Sequence, residues 1–199
     1  MSEHNPALAM LELCSIAQGM LAHDILLKKS VVHVIWARVY NPGKFVILLQ
    51  GGEEEVKESL HAARQIAGEF EIDYVYLSYP HVSIRSVLQH DQMQHLQGLT
   101  EAPSLGVIEC YSLSATLRAA DAILKEANVQ AVALRLDPTL GGKGCFIFTA
   151  ALEDIQAGLI KGKKVAGLAF FYHAQHIARP HAELNLTLDS VYPSPQSTS

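Results

Sequence analysis

The chain repeats itself. Laid against its own second half at an offset of 97 residues, Leu8 meets Leu105, Glu12 meets Glu109, Ser15 meets Ser112, Ala22 meets Ala119 and Asp24 meets Asp121. The same offset pairs Leu27 with Leu124, Lys28 with Lys125, Val32 with Val129 and Arg38 with Arg135. Two residues inserted in the second copy move the offset to 99, which pairs Gly43-Lys44 with Gly142-Lys143, Glu54 with Glu153, Leu60 with Leu159 and Ala67-Gly68 with Ala166-Gly167. One further residue moves it to 100, where Pro80-His81 meets Pro180-His181. An ordered series of this length with two small insertions reads as a duplicated domain. We expect a first domain over 1–98 and a second over 99–185, divided in the polar stretch 90–104. A Ser/Pro/Thr-rich tail over 186–199 is expected to be flexible.

Each copy has one coarse grammar. An apolar strand (about 7–13; 105–111) leads to a helical segment. In the first copy Ser15 and Gln18 have the spacing of a capping box, and Ile16, Met20, His23/Asp24 and Leu27 recur at helical intervals. A β-branched strand follows (31–39; 129–136), then a Pro/Gly turn and a second apolar strand opening FVILL or CFIF. A second helix starts near Glu53-Glu54-Glu55, where carboxylates suit the positive helix end, and stops at Gly68 or Gly167. A last strand closes each copy. The order βαββαβ predicts an α+β chain of two tandem ferredoxin-like domains.

Composition narrows the function. Charged residues are 18% and apolar residues 49%. A charged share below the usual ~25% points to surface that meets another protein. A net charge of −5 argues against a nucleic-acid partner, and no apolar run approaches a membrane span. Three scattered cysteines and an N-terminus without a signal-like apolar core lead us to expect a reduced, cytoplasmic setting.

The fold alone names no function; local motifs go further. The second copy carries Ile108-Glu109, Ala119-Ala120-Asp121, Lys125, Asn128-Val129, Gly141-Gly142 and Arg179-Pro180-His181. The first carries Leu11-Glu12, Asp24, Lys28, Gly43 and Pro80-His81, with Tyr79 where the arginine would stand. This set resembles the BMC domain that builds bacterial microcompartment shells, over residues 7 to about 185. The resemblance implies a tandem-domain shell protein of the trimeric class. Three chains would make a pseudohexameric tile that meets other shell proteins laterally and passes small metabolites through a central pore. Both copies begin at the Leu-Glu strand and end near Pro-His, the unpermuted order, which implies a single disc. A cytosolic metabolite-binding regulatory module built from the same paired domains is the alternative.

In the family the turn between the second and third strands lines the pore, which carries over to Asn41, Pro42, Gly43 and Lys44, and to Leu140, Gly141, Gly142 and Lys143. Turn chemistry by itself would also account for these residues. The helix lysine lies along the tile edge in the family, which carries over to Lys28 and Lys125, with Arg179, His81 and His181 nearby. Spacing alone leaves both lysines as solvated helix residues.

Other chemistry is set aside. The pairs His173/His176, His176/His181 and His90/His95 are separated plausibly for a metal, but strand alternation scatters the first two and no cysteine stands near in sequence. Some trimeric shell proteins hold an iron–sulfur cluster through a pore-turn cysteine, and this turn has none; Cys145 reads as packing. LGGKG lacks the first glycine and the Ser/Thr of a P-loop. Glu12, Glu109, Asp24 and Asp121 recur in both copies and fit structural roles. We expect no enzyme activity, cofactor or metal.

Overall fold

The computed structural model describes residues 6–89, 104–181 and 184. The expected domain boundary, apart from its last residue, and the tail lie outside the described residues. The first repeat runs β1 (Ala7–Leu13), α1 (Ile16–Lys29), β2 (His33–Tyr40), β3 (Lys44–Gly51), α2 (Glu53–Ala67) and β4 (Glu71–Leu77), followed by α3 (Val82–Gln89). The second runs β5 (Ser104–Cys110), α4 (Leu113–Glu126), β6 (Gln130–Arg135), β7 (Gly144–Ala150), α5 (Leu152–Ala166) and β8 (Phe171–Ala178). The two four-stranded sheets have the orders β2-β3-β1-β4 and β6-β7-β5-β8, one topology written twice. Each is the α+β ferredoxin-like arrangement expected from the sequence. The helix α3 was not legible as an element.

The repeat persists to single residues. A bulge shifts register after Glu12 in one sheet and after Glu109 in the other. A second falls between Val34 and Trp36, and again between Ala131 and Ala133. The offset changes have visible causes: a 3-10 turn at Pro138–Leu140 takes up the first insertion, and the Gly167–Phe170 turn the second. Ala9 lies opposite Leu49; in the second copy Gly106 meets Phe148, so volume lost on one strand is regained on the other.

The core of the first repeat forms where alternate residues of β1 and β3 (Ala9, Leu11, Leu13, Ile47, Leu49) meet Ala22 and Leu26 of α1 and Val56, Leu60 and Ala63 of α2. Such interdigitated burial contributes about 25 cal/mol per Å² of apolar surface. α1 lies close to the sheet because Gly19 faces Phe45, whose ring any side chain there would strike. The buried stripe of α1 is therefore Gly19, Ala22 and Leu26, and Ile16, Met20 and Leu27, which recur at helical spacing, face solvent. Half of the capping box forms. Ser15 Oγ accepts from Gln18 N at 3.2 Å, but the Gln18 amide donates to Ile66 O of α2 instead of turning back.

The chain divides into two compact units whose limits cut across the repeat. One contains 6–80 together with 111–118 and 136–144; the other contains 81–89, 104–110, 119–135 and the described residues from 145 on. The first turns of α4 and the Gly-rich turn before β7 thus belong with the first repeat. In the second unit α3 lies on β6 with Ile84 fully buried.

Candidate functional site

The Gly-bearing turns at 41–44 and 140–143 are distant in sequence and meet within the first unit.

 The first turn is closed by Gly43 N donating to Tyr40 O at 2.8 Å, with Gly43 at φ 112°, a conformation that favours glycine. Asn41 and Pro42 are exposed at its tip. The second turn begins where Asp137 caps Thr139 N at 3.0 Å, and continues through Gly141 and Gly142, both at positive φ. Lys143 N then donates to Leu140 O at 3.2 Å. Gly141 is exposed, Leu140 and Lys143 are half-buried, and Gly142 is buried against Asn41 O.

Lys44 ties the turns together. Its ammonium donates to Gly142 O at 3.0 Å and Tyr111 O at 3.1 Å, and lies 3.4 Å from Glu12 Oε2. Of the eight turn residues, Lys44 thus has its charge directed at a buried carboxylate. Tyr40 adds a bond from its hydroxyl to Leu136 O at 2.6 Å.

Behind the turns lies a polar cluster that sequence reading missed. Glu12, fully buried, accepts from Ser112 Oγ at 2.7 Å and Ser114 N at 2.6 Å. Ser112 Oγ also lies 2.5 Å from Asp73 Oδ2 and accepts from Ala115 N at 3.0 Å, which caps α4. Arg118 completes the cluster, 3.3 Å from Asp73 Oδ2 and donating to Tyr74 O at 2.7 Å. Buried charges persist only when paired and hydrogen-bonded, and these are. Two signals were available in the sequence: Ser15 and Ser112 match across the repeat, and Arg118 is a charge in an otherwise apolar helical stretch.

The expected edge residues fall into separate groups. Lys28 pairs with Asp24 at 2.6 Å on the surface of α1, and Lys125 pairs with Asp121 at 2.6 Å on α4. Asp121 also accepts His81 N at 2.7 Å, so Lys125 and His81 share one carboxylate in the second unit. Arg179 is exposed at φ 53°, and His181 is exposed beside it in sequence. Tyr79, in the arginine's place, borders a pocket of about 150 Å³ with Pro6, Gly52 and Glu53. Arg64 fastens α2 to β4 through two bonds to Glu71, 2.8 and 2.9 Å, which raise its pKa above the ordinary value. Among the described residues no three His, Cys, Asp or Glu side chains come together as a metal site, and no helix is long and apolar enough to cross a membrane.

The BMC domain model matches residues 7–80 and 104–180. The bacterial microcompartment shell protein PduT of Citrobacter freundii is 27% identical over 179 residues, covering 89% of this chain and 95% of that one. The carboxysome assembly protein CcmO of Synechococcus elongatus is 26% identical over 189 residues, and the match spans 88% of this chain and 64% of the relative. Among solved structures, a microcompartment protein from Desulfitobacterium hafniense superposes with a TM-score of 0.74 at 26% identity, covering 91% of this chain and 98% of that one. A fused permuted hexameric shell protein from the RMM microcompartment shares the fold, with a TM-score of 0.59 at 15% identity over 83% of this chain and 86% of that one. The chain belongs to the BMC-domain family, as a tandem-domain shell protein of bacterial microcompartments.

Proposed function

We propose that three copies close into a single-disc pseudohexameric tile, each contributing domains 1–98 and 99–185, and that the tile takes a structural, non-catalytic place beside other shell proteins in a cytoplasmic microcompartment. The turns 41–44 and 140–143 would alternate around a central opening that passes small metabolites. The observation that carries this reading is the Lys44–Gly142 bond at 3.0 Å, which joins one turn from each repeat as neighbours around an axis would be joined. The lips would differ: Asn41 and backbone N–H groups on one, Leu140 on the other, a filter by diameter and hydrogen bonding. Lys44 would set the turn's position through its carbonyl bonds. Lys28, Lys125, Arg179, His81 and His181 would lie along the tile edge.

Light scattering of the full chain tests the ring, with a trimer of the 21.7-kDa chain expected and a dimer refuting it. Lys28→Asp with Lys125→Asp should leave the trimer intact and abolish two-dimensional sheets in electron micrographs. Persisting sheets would remove those lysines from the edge.

A further inference from the structure

We propose that the pocket beside Tyr79 is a guanidinium site, and that Arg179 of a second copy, in an adjoining tile, fills it. The site rests on the ring reading above and gives the two repeats different parts to play at the tile's rim.

Strand register places it. Ala7 lies opposite Gly51 and Leu8 opposite Leu77, whereas Leu13, at the other end of β1, lies opposite Phe45 and Glu71. The pocket lined by Ala7, Gly51, Gly52, Glu53 and Tyr79 therefore sits at the end of the sheet remote from the turn 41–44. With that turn at the axis, the pocket lies at the outer rim of the tile. Arg179 follows Ala178, which pairs with Ser104, and Ser104 O accepts from Thr149 Oγ1 near the end of β7 at 2.8 Å. It too stands at the end of its sheet remote from the turn that precedes β7.

The repeats carry opposite chemistry at this one locus. The first has Glu53, Tyr76 and Tyr79 where the second, at offsets of 99 and 100, has Leu152, His176 and Arg179. In the first repeat the wall of the 150 Å³ cavity is anionic and phenolic. Tyr79 is 60% exposed with its hydroxyl 3.5 Å from Glu53 Oε2, and the Tyr76 hydroxyl donates to Glu53 O at 3.2 Å. Burial, and then the Glu53 and Glu54 carboxylates, raise the Tyr76 phenol above its ordinary pKa, as a negative potential would.

A carboxylate beside an exposed aromatic ring suits a planar cation that hydrogen-bonds with its edge and stacks with its face. The chain already contains this unit. The Arg64 guanidinium carbon lies 3.3 Å from the centre of the Tyr74 ring while its nitrogens donate to both carboxylate oxygens of Glu71. Arg179 is exposed, and its side chain has no hydrogen-bond or ion-pair partner among the described residues. Three copies in a ring alternate the two loci, so each tile offers both pockets and arginines to its neighbours.

The test is sheet formation by the full-length chain in electron micrographs, with light scattering of the soluble tile and circular dichroism as controls. Arg179→Ala, Glu53→Gln and Tyr79→Arg are each expected to keep the trimer's mass and to raise the concentration at which sheets form by about tenfold or more. Tyr79→Arg separates this pairing from one in which an arginine serves every edge alike: there a restored arginine helps assembly, whereas here two guanidiniums meet. Glu53→Arg combined with Arg179→Glu should restore the sheets that each change alone abolishes. Sheets at the wild-type concentration in Arg179→Ala or Tyr79→Arg, no restoration by the double exchange, or wild-type trimers that form no sheets overturn the site and leave the ring standing. A wild-type chain that stays monomeric at every concentration overturns the ring, and this contact with it.

Discussion

Gly142→Ala probes the meeting of the two turns directly. Gly142 sits at φ 78°, and a Cβ built there would lie 2.9 Å from Asn41 O, a backbone atom that cannot move without shifting the first turn. Gly141, its neighbour, sits at φ 61° with nothing within 4 Å of its would-be Cβ. Both substitutions place an L-residue in the left-handed region, at about 1–2 kcal/mol. Only Gly142→Ala adds overpacking, about 1–3 kcal/mol. The expected losses are therefore about 2–5 kcal/mol for Gly142→Ala and about 1–2 kcal/mol for Gly141→Ala. At about 3 °C per kcal/mol for a chain of this size, Tm should fall by roughly 6–15 °C and 3–6 °C. Thermal melts at one protein concentration read the difference. Equal shifts would mean that the turns do not press together, and the pore reading would lose its main support.

Two further substitutions separate the polar cluster from ordinary capping. Ser15→Ala removes one helix cap and should cost about 1 kcal/mol, whereas Ser112→Ala removes a cap and the hydroxyl's carboxylate contacts, for about 2–4 kcal/mol; urea denaturation distinguishes them. Lys44→Met leaves the Glu12 carboxylate buried without its cation, about 3–5 kcal/mol, and should exceed Glu12→Gln, which keeps one acceptor oxygen and costs about 1–3 kcal/mol. The reverse order in the same assay would show that Lys44 does not serve the buried carboxylate.

The repeat made the fold legible because each strand and helix is fixed by local pattern, and two copies of the pattern check one another. Helix stops at Gly68 and Gly167 and the turn at 41–43 are local backbone demands, visible as residue types. The cluster around Glu12 was not legible, since Asp73, Ser112 and Arg118 are joined only by tertiary contact. The exposed stripe of α1 misled for a related reason. Periodicity marks a face that will be buried, but it does not say whether the burial occurs within the chain.

In the proposed ring that distinction would account for where the charges are placed. Joining two repeats in one chain makes the contact between them intramolecular, so it forms at high effective concentration. Such a contact can hold Asp73 and Arg118, a nearly buried ion pair whose Coulomb gain is largely offset by desolvation. A contact between separate copies must also overcome the lost translational and rotational freedom of association. In the proposed ring apolar area would serve that need better, and Leu21 is the α1 residue that matches Arg118 at the offset of 97. On this argument Arg118→Leu should destabilise the folded chain by about 3–5 kcal/mol, because the nearly buried Asp73 carboxylate loses its cation, yet leave the dissociation constant of the proposed trimer unchanged, whereas Leu21→Arg should weaken that trimer; dilution series on the two variants decide it, and equal weakening would refute the division of labour.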